Sequence, residues 1–274
     1  MPITRRDLNT QAMAMALVGA TTPFATAQAK DNAPADGMAG LPASWYGSEK
    51  IAFLAYPGFA SLDLAGPHFM LGNLLGATPF VVAKSLEPVV ADPKLKIMPD
   101  HSFESCPADL DILCVPGGGE GTLDAMRDEA TLNFLRDRGA RARYVTSVCT
   151  GSLVLAAAGL LQGYRATSNW VVRDLLAEFG AEPVDARVVV DRNRITGAGV
   201  TAGLDMGLSI VGRLRDKQYA ETVQLLAEYA PEPPYHAGTP STATPENVAL
   251  CRSMFVSFND TVRAVAANYR SAQK

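Results

Sequence analysis

From Lys50 onward, apolar residues fall into two kinds of stretch. Short unbroken runs read as buried strands, and longer stretches with apolar residues every third or fourth position read as helices. Residues 51–56 form the first run, ended by Pro57-Gly58, and 62–75 carry helical spacing, with Pro67 tolerated only near a first turn. Strands are predicted at 80–83, at 111–115 (stopped by Pro116-Gly117-Gly118-Gly119) and at 143–148, which runs straight into Cys149. Residues 86–104 hold several prolines and read as a hairpin or an irregular excursion. Helices are predicted at 123–138, 152–161, 170–179 (capped by Gly180), 202–214 and 219–229. The runs 188–191 and 194–196 flank a polar Arg192-Asn193 turn. Strands alternating with helices imply a mostly parallel sheet covered on both faces. In such sheets sites lie beyond the carboxyl ends of the strands, which selects residues 57–63, 116–121 and 147–151.

The ends of the chain differ from this middle. Residues 231–244 are Pro-rich and non-helical, and 245–270 read as one final helix with an apolar stripe of Val248, Phe255, Val256, Val262 and Val265. That stripe is expected to lie on the domain or on a second subunit. At the other end, Arg5-Arg6, a mild apolar run over 12–20 and Ala27-Gln28-Ala29 have the order of a twin-arginine-type signal peptide over 1–29. The run is about half a membrane span. Residues 30–48 are rich in Gly, Pro and Ala and read as a linker, leaving 49–230 as the α/β domain. The expectation is an exported, periplasmic protein with no membrane attachment after signal cleavage.

Composition narrows the function. The 274 residues carry a net charge of −4, so no basic surplus exists to meet nucleic-acid phosphates. Four cysteines are too few for a disulfide scaffold. Three histidines (His68, His101, His236) leave little for a metal site, and no metal or cofactor is expected.

Chemistry concentrates at the three strand ends. Cys149 stands between a strand and a helix of small residues, followed by Thr150-Gly151-Ser152. A nucleophile at such a turn projects past the sheet, and a helix N-terminus favours its thiolate. Free cysteine is equally at home as a buried structural thiol, and spacing does not separate these readings. Gly117 and Gly118 can turn bare N–H groups toward an oxyanion, or form a plain turn. Asp63 lies among apolar neighbours, where a carboxyl has a raised pKa and exchanges protons; locally, a helix N-cap is the better reading. Gly197-Ala-Gly199 imitates a dinucleotide fingerprint, but no ribose-binding acid follows it, and close helix–sheet contact explains the glycines. Cys114 reads as core. Spacing does not support a Cys106–Cys251 disulfide.

Taken together, YPGFASLDLAGP (56–67), DILCVPGGGEG (111–121), SVCTGSLVLAAAGLLQGYRATSNW (147–170), ITGAGVTAGLDMGLSIVGRL (195–214) and YAPEPPYHAG (229–238) resemble the ThiJ/PfpI superfamily, the class I glutamine-amidotransferase-like fold. The resemblance implies a flavodoxin-like three-layer α/β sandwich with a nucleophile elbow, and a homodimer. Within the superfamily the "LDL-GP" and "PEPP" segments are similar to the isonitrile hydratase branch, whose members add water to an isonitrile, a small-molecule substrate. Carried over by position, Cys149 matches the nucleophile, Asp63 the essential carboxyl and Thr150 the residue after the nucleophile. Gly118 and the Cys149 and Thr150 amides match oxyanion-hole donors. Many relatives carry His where this chain has Asn169, and Asn is no base, so a Cys–His peptidase is poorly supported. An Asp–Cys reaction needs no histidine. Two other readings stand beside it, a non-catalytic small-molecule sensor and a redox or electrophile-stress protein.

Overall fold

The computed structural model describes residues 40–272. The signal-peptide reading of 1–29, and the linker up to residue 39, lie outside these residues. The chain runs β1 (Lys50–Leu54), α1 (Ser61–Gly72), β2 (Thr78–Ala83), β3 (Val89–Val90), β4 (Lys96–Ile97), β5 (His101–Ser102), β6 (Ile112–Val115), α2 (Glu120–Ala125), α3 (Glu129–Arg141), β7 (Tyr144–Val148) and α4 (Gly151–Ala157). It continues through β8 (Arg165–Ala166), a 3-10 segment (Arg173–Phe179), β9 (Glu182–Pro183), β10 (Val188–Asp191), β11 (Arg194–Gly197), α5 (Ala202–Leu214), α6 (Lys217–Leu226), α7 (Pro245–Met254) and α8 (Val256–Ala272).

Seven strands form one sheet in the order β10-β11-β7-β6-β1-β2-β5, parallel except for the β10–β11 hairpin. The central strands β1, β6 and β7 are almost wholly buried, as expected of apolar runs covered on both faces. Helices α1, α5 and α6 pack together on one side; α2, α3, α4 and α8 gather on the other. This is the sheet covered on both faces that the hydrophobic pattern implied, and the three-layer α/β sandwich that the family resemblance implied.

Several predicted elements change shape for local reasons. The helix read over 123–138 is two helices, because Asp128 caps a new one by accepting from Thr131 N at 3.1 Å. The helix read over 152–161 stops at Ala157, and Gly159 turns left-handed at φ 79°. Residues 170–179 form a 3-10 segment, with Gly180 at φ 80° closing it. Pro67 lies inside α1 rather than in its first turn. Gly203 and Gly207 of α5 are what admit it: a Cβ at Gly203 would stand 3.0 Å from the Pro67 ring. The excursion at 86–104 is the β3–β4 hairpin followed by β5.

The boundaries of the domain also shift. Residues 42–48, read as linker, are tied down. Trp45 is buried, its Nε1 donates to Asp216 Oδ2 at 2.7 Å, and nearby Arg215 pairs with Glu49 at 2.6 Å in an almost dry setting. The final helix is broken at Phe255. Its inward stripe is Phe258, Val262 and Ala266, whereas Val256 is exposed and Val248, Phe255 and Val265 are half-buried. Helix α8 lies against the 3-10 segment. Among the described residues, no helix is long and apolar enough to cross a membrane.

Candidate active site

Strand β7 ends its ladder at Val148, paired with Gly197, and the next residue bends sharply. Cys149 has φ 56°, a left-handed conformation that strains any residue with a Cβ. Four hydrogen bonds hold it there. Its N–H donates to the carbonyls of Gly197 (3.1 Å) and Ala198 (2.7 Å), and its own carbonyl accepts from Ser168 Oγ (2.9 Å) and Ser152 Oγ (3.2 Å). The segment that imitates a dinucleotide fingerprint therefore supplies two carbonyls that fix the elbow. Gly151 is required for space, since a Cβ there would meet Val115 O at 2.3 Å.

Asp63 is not a helix cap. The N-cap position of α1 is Ala60, and the Asp63 side chain turns inward until nothing of the residue is exposed. Its Oδ2 accepts from Gly117 N at 2.9 Å, while Oδ1 has no hydrogen-bond partner among the described residues. The Cys149 thiol lies against this carboxyl, near enough for each group to alter the other's titration without a well-formed hydrogen bond on Oδ1. Burial pushes Asp63 up to about 7, against the opposing pull of the Gly117 N–H and of the thiol.

The expected thiolate is overturned. Burial, and secondly the Asp63 charge, push the Cys149 thiol up to about 12; contacts from the Thr150 amide and the Asn169 side chain offset only part of this. Cys149 keeps 7% of its surface exposed, and that desolvation outweighs the helix N-terminus that follows. At neutral pH the pair is a neutral thiol beside a carboxyl poised to gain or lose a proton.

The expectation of bare glycine amides also fails. Gly117 N–H is spent on Asp63, and Gly118 N–H donates to Thr150 Oγ1 at 2.8 Å. Thr150 Oγ1 also lies 2.8 Å from Thr122 Oγ1, which in turn is 3.3 Å from the Tyr56 hydroxyl. Tyr56 donates to Pro116 O at 2.7 Å. Tyr56 and Thr122 thus brace the Gly-rich loop against the elbow, a role absent from the sequence reading. The signal was present in their positions, Tyr56 two residues past the end of β1 and Thr122 just after the glycine loop that follows β6. Asn169 is half-buried and reaches the sulfur, in the place the resemblance assigned to it. The histidines are elsewhere: His68 rests on Phe53 and His101 on Phe80, with ring centroids 4.9 Å apart in both pairs.

A left-handed cysteine at a strand end, a buried acid and a glycine loop braced onto both are accompanied by a match of residues 49–213 to the DJ-1/PfpI family. The chain belongs to this family. It is 51% identical over 195 residues to isonitrile hydratase of Pseudomonas putida, covering 71% of this chain and 84% of that protein. It is 30% identical over 198 residues to the HTH-type transcriptional regulator GbdR of Pseudomonas aeruginosa, covering 69% of this chain but only 53% of the regulator. A crystal structure of a ThiJ/PfpI family protein from Pseudomonas syringae superposes with a TM-score of 0.81 at 53% identity, covering 88% of this chain and 98% of that one.

The remaining cysteines of this DJ-1/PfpI chain are unpaired. Cys114 is fully buried in β6, Cys106 is buried and Cys251 is exposed. Among the described residues, no three His, Cys, Asp or Glu side chains cluster as metal ligands.

Proposed function

We propose that this chain is an exported, cysteine-dependent hydratase that adds water to an isonitrile, R–N≡C, to give an N-substituted formamide. The observation that carries the reading is the Asp63–Cys149 pair, a buried carboxyl pushed up to about 7 with one oxygen unpartnered beside a thiol. The 51% identity to an isonitrile hydratase supports it.

An isonitrile carbon is a base before it is an electrophile, so the site needs an acid first. Protonated Asp63 gives its proton to that carbon, and Cys149 Sγ then bonds to the same carbon. The thiol proton passes to the Asp63 carboxylate, leaving a thioimidate, R–N=CH–S–Cys149, and a protonated Asp63. No preformed thiolate is needed, because the proton leaves as the bond forms. Water then adds to the thioimidate carbon. The C–S bond breaks, one water proton returns to sulfur and the other goes to nitrogen, releasing R–NH–CHO. Asn169 has no proton to exchange; it donates to the sulfur and positions it. Thr150, with Gly117 and Gly118, holds the glycine loop against both reacting groups, and Thr150 N–H faces the sulfur.

The decisive experiment combines turnover of a simple alkyl isonitrile with intact-mass detection of its adduct on Cys149. Formamide production with a transient adduct of one isonitrile mass is the expected result. Isonitrile binding without turnover or adduct sinks the hydratase reading and favours the sensor, the reading to which 30% identity with a transcriptional regulator lends support. A redox role is disfavoured, since a neutral buried thiol is a poor target for peroxide.

Export to the periplasm and a homodimer complete the reading. Arg5-Arg6 and Ala27-Gln28-Ala29 support export, and a mature N-terminus near Lys30 in protein from the native host tests it. The dimer is supported by residues 228–257, in which no side chain is buried although Leu250, Met254 and Val256 are apolar. Sedimentation equilibrium of the processed chain reads its mass directly.

A further inference from the structure

A cavity of about 590 Å³ opens at the carboxyl ends of β1 and β2, and neither Cys149 nor Asp63 lines it. Its volume suits a small organic ligand. The walls are mainly apolar, from Ala55, Ala83, Val89 and Val90, with the aromatic residues Tyr56 and Phe103 among them. The charged groups are unbalanced. Lys84 is taken by Asp128, Nζ to Oδ1 at 2.7 Å, while Glu87 and Asp124 have no ion-pair partner among the described residues.

An apolar cavity with aromatic walls and surplus carboxylates fits one ligand chemistry. A neutral isonitrile leaves both carboxylates idle, and an anion is repelled by them. A metal ion lacks ligands, since among the described residues no three candidate side chains cluster. An ammonium head satisfies the carboxylates while its substituent fills the apolar wall. We propose that this cavity binds a small primary ammonium ion bearing an alkyl or aryl group, at a site separate from the elbow. Tyr56 links the two places, for it lines the cavity and its hydroxyl begins the Tyr56–Thr122–Thr150 chain that ends on Gly118. An occupied cavity thereby bears on the loop that holds Asp63. The inference does not depend on the hydratase reading, because the cavity shares no reacting group with it.

Calorimetric titration of the full chain with benzylammonium chloride tests the site, with benzyl alcohol, benzoate and calcium chloride as comparators. The expected result is saturable one-to-one binding of benzylammonium, at least tenfold tighter than benzyl alcohol, and none of benzoate or calcium. The Glu87→Gln/Asp124→Asn variant weakens it at least tenfold, and Val90→Trp, which fills the cavity, abolishes it. Cys149→Ala leaves it unchanged. All three cavity positions are exposed, so thermal unfolding is expected to match the parent; should Val90→Trp fail to fold, the isosteric double variant decides. Equal affinity for benzyl alcohol, loss of binding in Cys149→Ala, or no saturation by about 10 mM ligand each overturns the proposal.

Discussion

Two cysteines belong to neighbouring central strands, Cys114 within β6 and Cys149 just past the end of β7, and burial pushes both thiols up to about 12. Cys114 sits mid-strand in β6, its backbone in register with Phe53 on one side and Thr146 on the other. Cys149 stands one residue past the last ladder pair of β7, in left-handed geometry, with Asp63 and Asn169 at its sulfur. The difference teaches that burial alone does not tell the two thiols apart. What distinguishes Cys149 is a strained backbone held by four hydrogen bonds and a neighbouring acid, the pair on which the proposed hydratase reaction rests.

Substitution breaks the comparison most sharply. Cys149→Ala is expected to lower isonitrile turnover roughly 1,000-fold or more. Cys114→Ala is expected to keep the parent rate and lose about 1 kcal/mol of stability, read by parallel kinetics and urea unfolding. Equal losses of turnover in both would dissolve the distinction.

Asp63→Asn comes next, with turnover down roughly 100-fold, the usual scale for a positioned proton donor. This change also has a stability signature of opposite sign. Asp63 is raised in the folded state from 3.8 to about 7, so the folded chain holds a proton that the unfolded chain releases. Its contribution to stability is therefore full below about pH 4 and fades as pH rises through about 7, by up to about 4 kcal/mol. Asn removes that decline, so the variant gains on the parent at pH 8, as chemical unfolding at pH 5 and pH 8 would reveal. The same titration predicts that parent turnover falls above about pH 7, as the carboxyl loses the proton it must deliver. A rate that climbs toward pH 9, following thiol ionisation, would assign the chemistry to a thiolate instead.

Smaller effects sharpen the picture of the loop. Thr150→Val removes the hydroxyl shared by Gly118 and Thr122, and about a tenfold loss in kcat is expected, the equivalent of about one hydrogen bond, with KM little changed. Serine at this position is expected to restore kcat, which a purely steric role would not. Asp128→Ala removes the cap of α3, costing about 1 kcal/mol of stability with no change in rate expected, since among the described residues Asp128 makes no hydrogen bond with Asp63, Cys149 or the glycine loop.

Asp63 and Asp128 show how far local reading reaches. Although the apolar pattern sets Asp128 inside one helix over 123–138, in the structure both stand at the head of a helix, where Asp suits a cap. Asp128 is one, accepting from Thr131 N and Oγ1, with Lys84 beside it and its pKa lowered. Asp63 turns inward to Gly117, a residue 54 positions away. Nothing within a few residues distinguishes these fates; the sheet order, which sets β6 beside β1, does. The glycine amides follow the same logic, since partners distant in the chain occupy the N–H groups that local sequence left free. Helix breaks at 126–128 and at Phe255 were illegible for a related reason, as periodicity reports an apolar face but not the point where a new cap or a change of partner redirects it.

By itself, the order of apolar runs determined the layered parallel sheet and set Cys149, Asp63 and the glycine loop at its strand ends, because burying a strand on both faces leaves few arrangements and few exposed ends. The proton states were decided only in three dimensions. How much water reaches Asp63 and Cys149, and which amides meet them, depends on segments separated by tens of residues. Desolvation acts through space and leaves no mark along the chain.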